Sequence, residues 1–245
     1  MTTPMAVAEA ARIYARRDVR VGREPVVAPG PGEVLLIGDD EAPLLEPLGV
    51  ALHALDLGPV PPGGRAGVYG VGPIGLLLVQ LLRARGVATI VATDKLSHRV
   101  AAAKSMGATD AFLVDGDAGP EFTPQRLMAR QIPVDVAFEV SGSDAALSDA
   151  ISAVRPGGRV VLVGIPAGDR TSFEAALARR KELALLECRR MVASDLPRAI
   201  ELVAAGSIDL RSLTTDRFPI ARAPEAFAAL ARRRGLKVIV KPNAE

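Results

Sequence analysis

Three glycines and one acid carry the clearest chemistry in this chain. Gly70, Gly72 and Gly75 stand in the stretch Gly67-Val68-Tyr69-Gly70-Val71-Gly72-Pro73-Ile74-Gly75, a GxGxxG turn between a short apolar run and a longer one, Leu76 to Leu82. A turn without side chains on its inner face lets backbone N–H groups approach a pyrophosphate, and the positive end of the following helix dipole favours the anion. Gly70 allows the tight turn, Gly72 the close approach and Gly75 the packing of helix on strand, with Pro73 and Ile74 opening the helix. Asp94 ends the next apolar strand pattern, Thr89-Ile90-Val91-Ala92-Thr93, nineteen residues beyond Gly75. A carboxylate at that spacing can accept from both hydroxyls of a ribose and repel a 2′-phosphate. The pair therefore predicts a dinucleotide site that prefers NAD to NADP, a preference tempered by Lys95 and Arg99 close by. The same turn and acid also suit an adenosine-containing methyl donor.

These residues need a scaffold, and the rest of the chain reads as one. Strands are expected near 66–71, 88–94, 110–114, 134–140 and 158–164, with helices between them and a sixth strand near 182–188. Such alternation predicts an α/β fold, a doubly wound parallel sheet covered on both faces. Ligands of such sheets sit outside the carboxyl ends of the strands. That places Ser141 and Gly142, after the fourth strand, and Val163, Gly164 and Ile165, at the end of the fifth, beside the glycine turn. Ahead of the sheet, Ala11–Tyr14, Val19–Val21 and Val34–Leu36 suggest a hairpin region, and Gly38-Asp39-Asp40-Glu41 a polar link into a helix from about Leu44 to Leu57. Pro61-Pro62-Gly63-Gly64 marks a sharp loop. The tail suggests helices near 195–205 and 223–233, a short strand near 214–218 and a last strand at Leu236–Val240.

The composition fits such a domain. The 245 residues are 49% hydrophobic with few aromatics, so Ala, Val and Leu must fill the core. A net charge of +2 is too small to suggest nucleic-acid binding, and Arg179-Arg180-Lys181 and Arg232-Arg233-Arg234 read as solvated helix ends. The single cysteine, Cys188, excludes an internal disulfide and suits a reducing, cytoplasmic setting. No secretory signal is evident near Arg12, Arg16 and Arg17, and Ile74–Leu82 is far too short to span a membrane.

The order of several motifs resembles the medium-chain dehydrogenases of the sorbitol/threonine type. The matching residues are Glu46-Pro47-Leu48 with His53, Gly70 to Gly75, Thr93-Asp94 with Arg99, and Gly107-Ala108. They continue with Glu139-Val140-Ser141-Gly142, Pro156-Gly157-Gly158-Arg159, Val163-Gly164-Ile165, Arg189, Arg217-Phe218-Pro219-Ile220, Ala226-Phe227 and Leu236-Lys237. The resemblance implies a Rossmann domain over residues 46–210. It also implies a truncated β-rich GroES-like remnant over 1–45, joined by a tail at 211–245. It places the backbone of Val163–Ile165 near the nicotinamide and Arg189 beside the cofactor, and implies a homodimer or higher homo-oligomer that packs near Leu183–Leu186.

The resemblance breaks where the family's chemistry sits. Leu36-Ile37-Gly38 passes almost directly into the interdomain helix, without the zinc-binding cysteine, the His-Glu pair or the four-cysteine lobe. Glu46 matches a position that ligates zinc in some relatives, yet one carboxylate cannot make a site that needs three protein ligands. No metal site is therefore expected. The reading that follows is an NAD(H)-dependent oxidoreductase of an alcohol, polyol or ketone without the catalytic zinc. Glu46, His53 and Arg189 are then the candidates for an acid or oxyanion donor. The alternative is a nucleotide-binding pseudoenzyme or a regulatory or partner-dependent subunit. Cys188 is expected to pack in the sheet, and neither a membrane nor a nucleic acid is expected as partner.

Overall fold

The computed structural model describes residues 7–15, 18–25, 41–114 and 131–241. The chain falls into two units: Leu45–Asp209, and a second that joins the residues up to Leu44 with those from Leu210 onward. In the second unit, β1 (Val7–Ala15) and β2 (Asp18–Pro25) pair antiparallel, with a bulge between Ile13 and Ala15. The expected strand at Val34–Leu36, the link at Gly38–Asp40 and most of the connection between 114 and 134 lie outside the described residues.

Helix α1 (Ala42–Leu57) is apolar almost all round, as a buried helix must be. Leu44, Leu48, Leu52 and Leu55 are wholly buried. The chain then enters β3 (Arg65–Tyr69), α2 (Pro73–Ala84), β4 (Thr89–Asp94), α3 (Ser97–Met106) and β5 (Asp110–Leu113). After the segment 115–130 come β6 (Val134–Glu139), α4 (Asp144–Ala153), β7 (Val154–Leu162), α5 (Ala175–Arg180), β8 (Ala184–Glu187) and α6 (Asp195–Ala204).

The six strands β3 to β8 form one parallel sheet in the order β5-β4-β3-β6-β7-β8. Counted from β3, this is the order 3-2-1-4-5-6, which reverses direction between β3 and β6 and opens a crevice there. Both faces are covered. Val68, Val136, Phe138 and Val161 turn to the face that carries α2 and the end of α1: Gly75 of α2 lies on Val68, and Gly58 packs on Val136, Phe138 and Val161. Tyr69, Val91, Ala137 and Val160 turn to the other, where they cluster with Leu147, Ala150 and Ile151 of α4 and Ala178 of α5. Burial on both sides is why the strands read as apolar runs without alternation.

The strand bounds differ from expectation for local reasons. β3 stops at Tyr69 because Gly70 takes φ +101° and turns the chain. β7 was expected at 158–164 and runs instead over Val154–Leu162. It starts early because Val154 pairs with Val134 across a register shift, upstream of Pro156 and Gly157. It ends early because the N–H groups of Val163 and Gly164 both donate to the carbonyl of Glu139, at 2.7 and 3.0 Å, which leaves no ladder to continue. α1 begins two residues sooner than expected. Lys181 fixes the end of α4: its ammonium donates to the carbonyls of Ile151, Ser152 and Val154.

In the smaller unit, β9 (Thr214–Pro219) and β10 (Lys237–Lys241) pair parallel on either side of α7 (Ala223–Ala231). Among the described residues no helix is long and apolar enough to cross a membrane.

Candidate nucleotide-binding site

The glycine turn takes the conformation that its sequence calls for. Gly70 donates its N–H to the carbonyl of Thr93 at 2.8 Å and then turns with positive φ. A methyl group on Gly75 would fall 2.1 Å from the carbonyl oxygen of Gly70, so no other residue lets α2 start so close to β3. Gly72 is different. A methyl there would meet only the guanidinium of Arg99, at 3.5 Å, an ordinary contact. Its missing side chain clears space rather than relieving a clash. Gly72 is the N-cap of α2, Pro73 occupies the first turn, and no side chain caps the helix. A helix start left without a side-chain cap beside open space is what a phosphate group fits.

Asp94 sits at the end of β4, 8% exposed, with both carboxylate oxygens held by backbone: Val71 N–H donates to Oδ2 at 2.9 Å and Leu96 N–H to Oδ1 at 3.0 Å. These donors tie the glycine turn to the acid. The Arg99 guanidinium lies 3.8 Å from the same carboxylate and over Gly72, with its Nε buried and unpartnered. Lys95 is exposed.

The strand-end turns of β6 and β7 continue this wall. Ser141 abuts Gly70 so closely that a methyl on Gly70 would fall 2.8 Å from Ser141 N. Gly142, with φ +71°, lies against the backbone of Ile165, and Gly164 against the backbone of Gly142. Ile165 projects freely, 90% exposed. The structure thus brings together Gly70–Gly75, Asp94, Arg99, Ser141, Gly142, Gly164 and Ile165 at the carboxyl edge of one sheet. Arg189 follows β8 at that same edge and is exposed, next to Arg190 at φ +58°.

Sequence reasoning missed one residue of this edge. Glu139 is 3% exposed, and its Oε1 accepts from Ser141 N–H, Ser141 Oγ–H and Gly142 N–H at 2.8, 2.6 and 2.9 Å. Burial pushes its carboxyl above the ordinary range, against the downward pull of those donors. The signal was an acid closing an otherwise apolar strand, Val-Asp-Val-Ala-Phe-Glu, just before Ser-Gly.

The weak catalytic candidates are not drawn into a common site. A helix that started near Leu44, as the sequence suggests, would hold Glu46 in its first turn, where the dipole favours an acid. Because α1 begins at Ala42, Glu46 lies in the second turn, exposed, where that effect has largely decayed. His53 is half-buried on the same helix, seven residues on, about 10 Å along the axis. Cys188 packs beside β8, its N–H donating to Leu162, and burial followed by the nearby Asp195 charge pushes its thiol up to about 11. A thiol kept protonated by burial is a poor nucleophile. Among the described residues no three His, Cys, Asp or Glu side chains come together to hold a metal. The described residues by themselves do not make the three-ligand set of a catalytic zinc ion.

A doubly wound sheet in this order, with a cleared helix start and a strand-end acid, is the fold of dinucleotide-binding domains. The chain belongs to the medium-chain, zinc-binding dehydrogenase family, whose profile matches residues 73–205. Sorbitol dehydrogenase of Bacillus subtilis is 34% identical over 217 residues, covering 86% of this chain and 60% of that relative. The 2R,3R-butanediol dehydrogenase of Bacillus subtilis superposes with a TM-score of 0.72 at 28% identity, over 84% of this chain and 59% of that one. A zinc-binding-type dehydrogenase of Sinorhizobium meliloti bound to NADP gives 0.69 at 30% identity, over 82% and 58%. The chain spans about 60% of the length of these relatives.

Proposed function

We propose that the chain binds NAD(H) across the β3–β6 crevice and serves NAD(H)-dependent oxidoreduction of an alcohol, polyol or ketone, without the catalytic zinc of its family. The observation that carries this reading is the junction of Gly72 and Asp94: a helix start without a side-chain cap, cleared of side chains, tied through Val71 N–H to a buried carboxylate. The pyrophosphate is placed on the α2 N-terminus and the adenine ribose on Asp94, whose charge disfavours a 2′-phosphate. Arg99, beside Asp94, narrows that preference. A bound nicotinamide supplies the hydride acceptor or donor. The turns at Ser141–Gly142 and Val163–Ile165 would orient it, with Arg189 at the far end of the same edge. The sorbitol dehydrogenase relative makes polyols the first substrates to try.

A second reading is favoured by the donor set. Since Glu46, His53 and Cys188 do not assemble, the chain on this reading serves as a nucleotide-binding subunit whose turnover needs a partner. Calorimetric titration with NAD⁺, NADH and NADP⁺, on protein of measured metal content, followed by assays on sorbitol and other polyols and ketones, separates the readings. Binding of NAD(H) with turnover supports the first. Binding without turnover supports the second, and no binding of any nucleotide overturns both.

The same reading includes a homodimer. β8 is the last strand of the sheet, with one backbone edge unpaired in the sheet and Leu185 and Leu186 half-buried. Pairing of two such edges would cover them. Light scattering should give twice the 25.6 kDa chain mass; a monodisperse monomer would remove the dimer.

A further inference from the structure

A buried carboxylate at a ligand edge calls for an explanation, and among the described residues Glu139 has no ion pair to supply one. It ends β6 on the sheet face that carries α4, and it is 3% exposed. Its bonds run in two directions. Oε1 collects three donors from the turn that follows β6: the N–H and the hydroxyl of Ser141, and the N–H of Gly142. Its main-chain carbonyl collects two more from the turn that follows β7, the N–H groups of Val163 and Gly164. Oε2 faces Gly164 so closely that a methyl there would fall 2.7 Å away. One residue thus fixes both turns, and the turns press on each other, Gly142 against Ile165 and Gly164 against Gly142.

The location gives this clasp a purpose. In a sheet of this order, the half built on β3, β4 and β5 takes one mononucleotide, and the half built on β6, β7 and β8 takes the other. Asp94 marks the adenosine half. The two turns held by Glu139 form the edge of the other half and share no hydrogen bond with Asp94.

We propose that Glu139 is a positioning residue for the nicotinamide half of the cofactor: by accepting from Ser141 and Gly142 while its carbonyl holds Val163 and Gly164, it sets the spacing of the two turns between which the pyridine ring binds. This rests on the dinucleotide reading above and adds to it a residue that touches neither the phosphates nor the adenosine. A role in general stability would affect every ligand alike. A role in this half alone would not.

The test compares two ligands on the same proteins by calorimetry: NAD⁺, which reaches both halves, and ADP-ribose, which lacks the nicotinamide. In Glu139→Ala all three side-chain acceptances are lost. In Glu139→Asp the oxygen is withdrawn by one methylene from its donors while charge is kept. Each is expected to weaken NAD⁺ by tenfold or more and to leave ADP-ribose within about threefold. Glu139→Gln keeps an amide oxygen where Oε1 stands and is expected to bind NAD⁺ within about threefold of the native chain. Should the alanine variant not fold, judged by its thermal unfolding, the aspartate variant carries the test. Native NAD⁺ affinity in the aspartate variant, or equal loss of both ligands, overturns the proposal. If the unaltered chain binds neither ligand, the dinucleotide reading itself falls, an outcome distinct from either of those.

Discussion

The two glycines that flank the start of α2 do different jobs, and a single methyl group separates them. Gly75→Ala drives a methyl into the carbonyl of Gly70, a backbone atom that cannot step aside, so the variant should lose about 2 kcal/mol or more of stability. Gly72→Ala meets only the end of a flexible arginine, so its unfolding midpoint should stay within a degree or two of native. Its NAD⁺ affinity should nonetheless fall at least tenfold, because the methyl occupies the phosphate approach. A Gly72→Ala variant that binds NAD⁺ normally would take the phosphates elsewhere. Asp94 allows a parallel test. Asp94→Ala should weaken NAD⁺ by about tenfold and bring NAD⁺ and NADP⁺ affinities closer together, since Arg99 then faces the ribose unopposed. Unchanged affinities for both nucleotides would remove Asp94 from the ribose site. The types of these residues and their spacing were legible in the sequence because a GxGxxG turn and a following acid are local requirements. Glu139 was not, because its partners come from two separate strand ends.

At the scale of elements, an acid–base cluster links α1 to α6. Arg198 of α6 donates to Asp56 of α1 at 2.6 Å and to the fully buried Asp195 at 2.9 Å, and Arg85 after α2 approaches Asp56 at 3.4 Å. The hydrogen bond from Arg198 is the main reason that the Asp56 carboxyl lies below its ordinary value. A carboxyl whose folded-state pKa is depressed stabilises the fold while it is ionised above the ordinary carboxylate range. That contribution is lost as pH falls through the depressed value. The unfolding midpoint of the native chain should therefore drop more steeply than that of Asp56→Asn between about pH 5 and pH 3. At pH 7 the variant should cost under about 1 kcal/mol, because the pair is partly exposed and screened. Parallel curves for the two proteins would show that the cluster adds nothing to stability. The helices and strands themselves were mostly readable from apolar periodicity. The β7 bounds were not, because Val154 and Val163 are both apolar and only the pairing of Val154 with Val134 and the claim of Glu139 on Val163 decide where the strand starts and stops.

At the scale of the molecule, the proposed reading without a catalytic zinc rests on a sparse donor set, one cysteine and two histidines in the 245 residues. Structural and catalytic zinc sites stabilise the fold that presents them. Here the donors do not converge among the described residues. Incubation with a strong chelator should leave the unfolding midpoint and the NAD⁺ affinity unchanged. A fall of several degrees, reversed by added zinc, would show that the chain does hold the metal.

What the sequence determined by itself was the class of fold and the residues proposed for the adenosine end of the site. The alternation of strand and helix, the glycine turn and the acid nineteen residues on are all set within short stretches of chain, where steric limits and spacing act directly. Only the tertiary structure decided which strand ends stand side by side, because sheet order depends on pairings between segments far apart in sequence. That order places Ser141 against Gly70 and Gly164 against Gly142, and makes Glu139 the residue common to two turns.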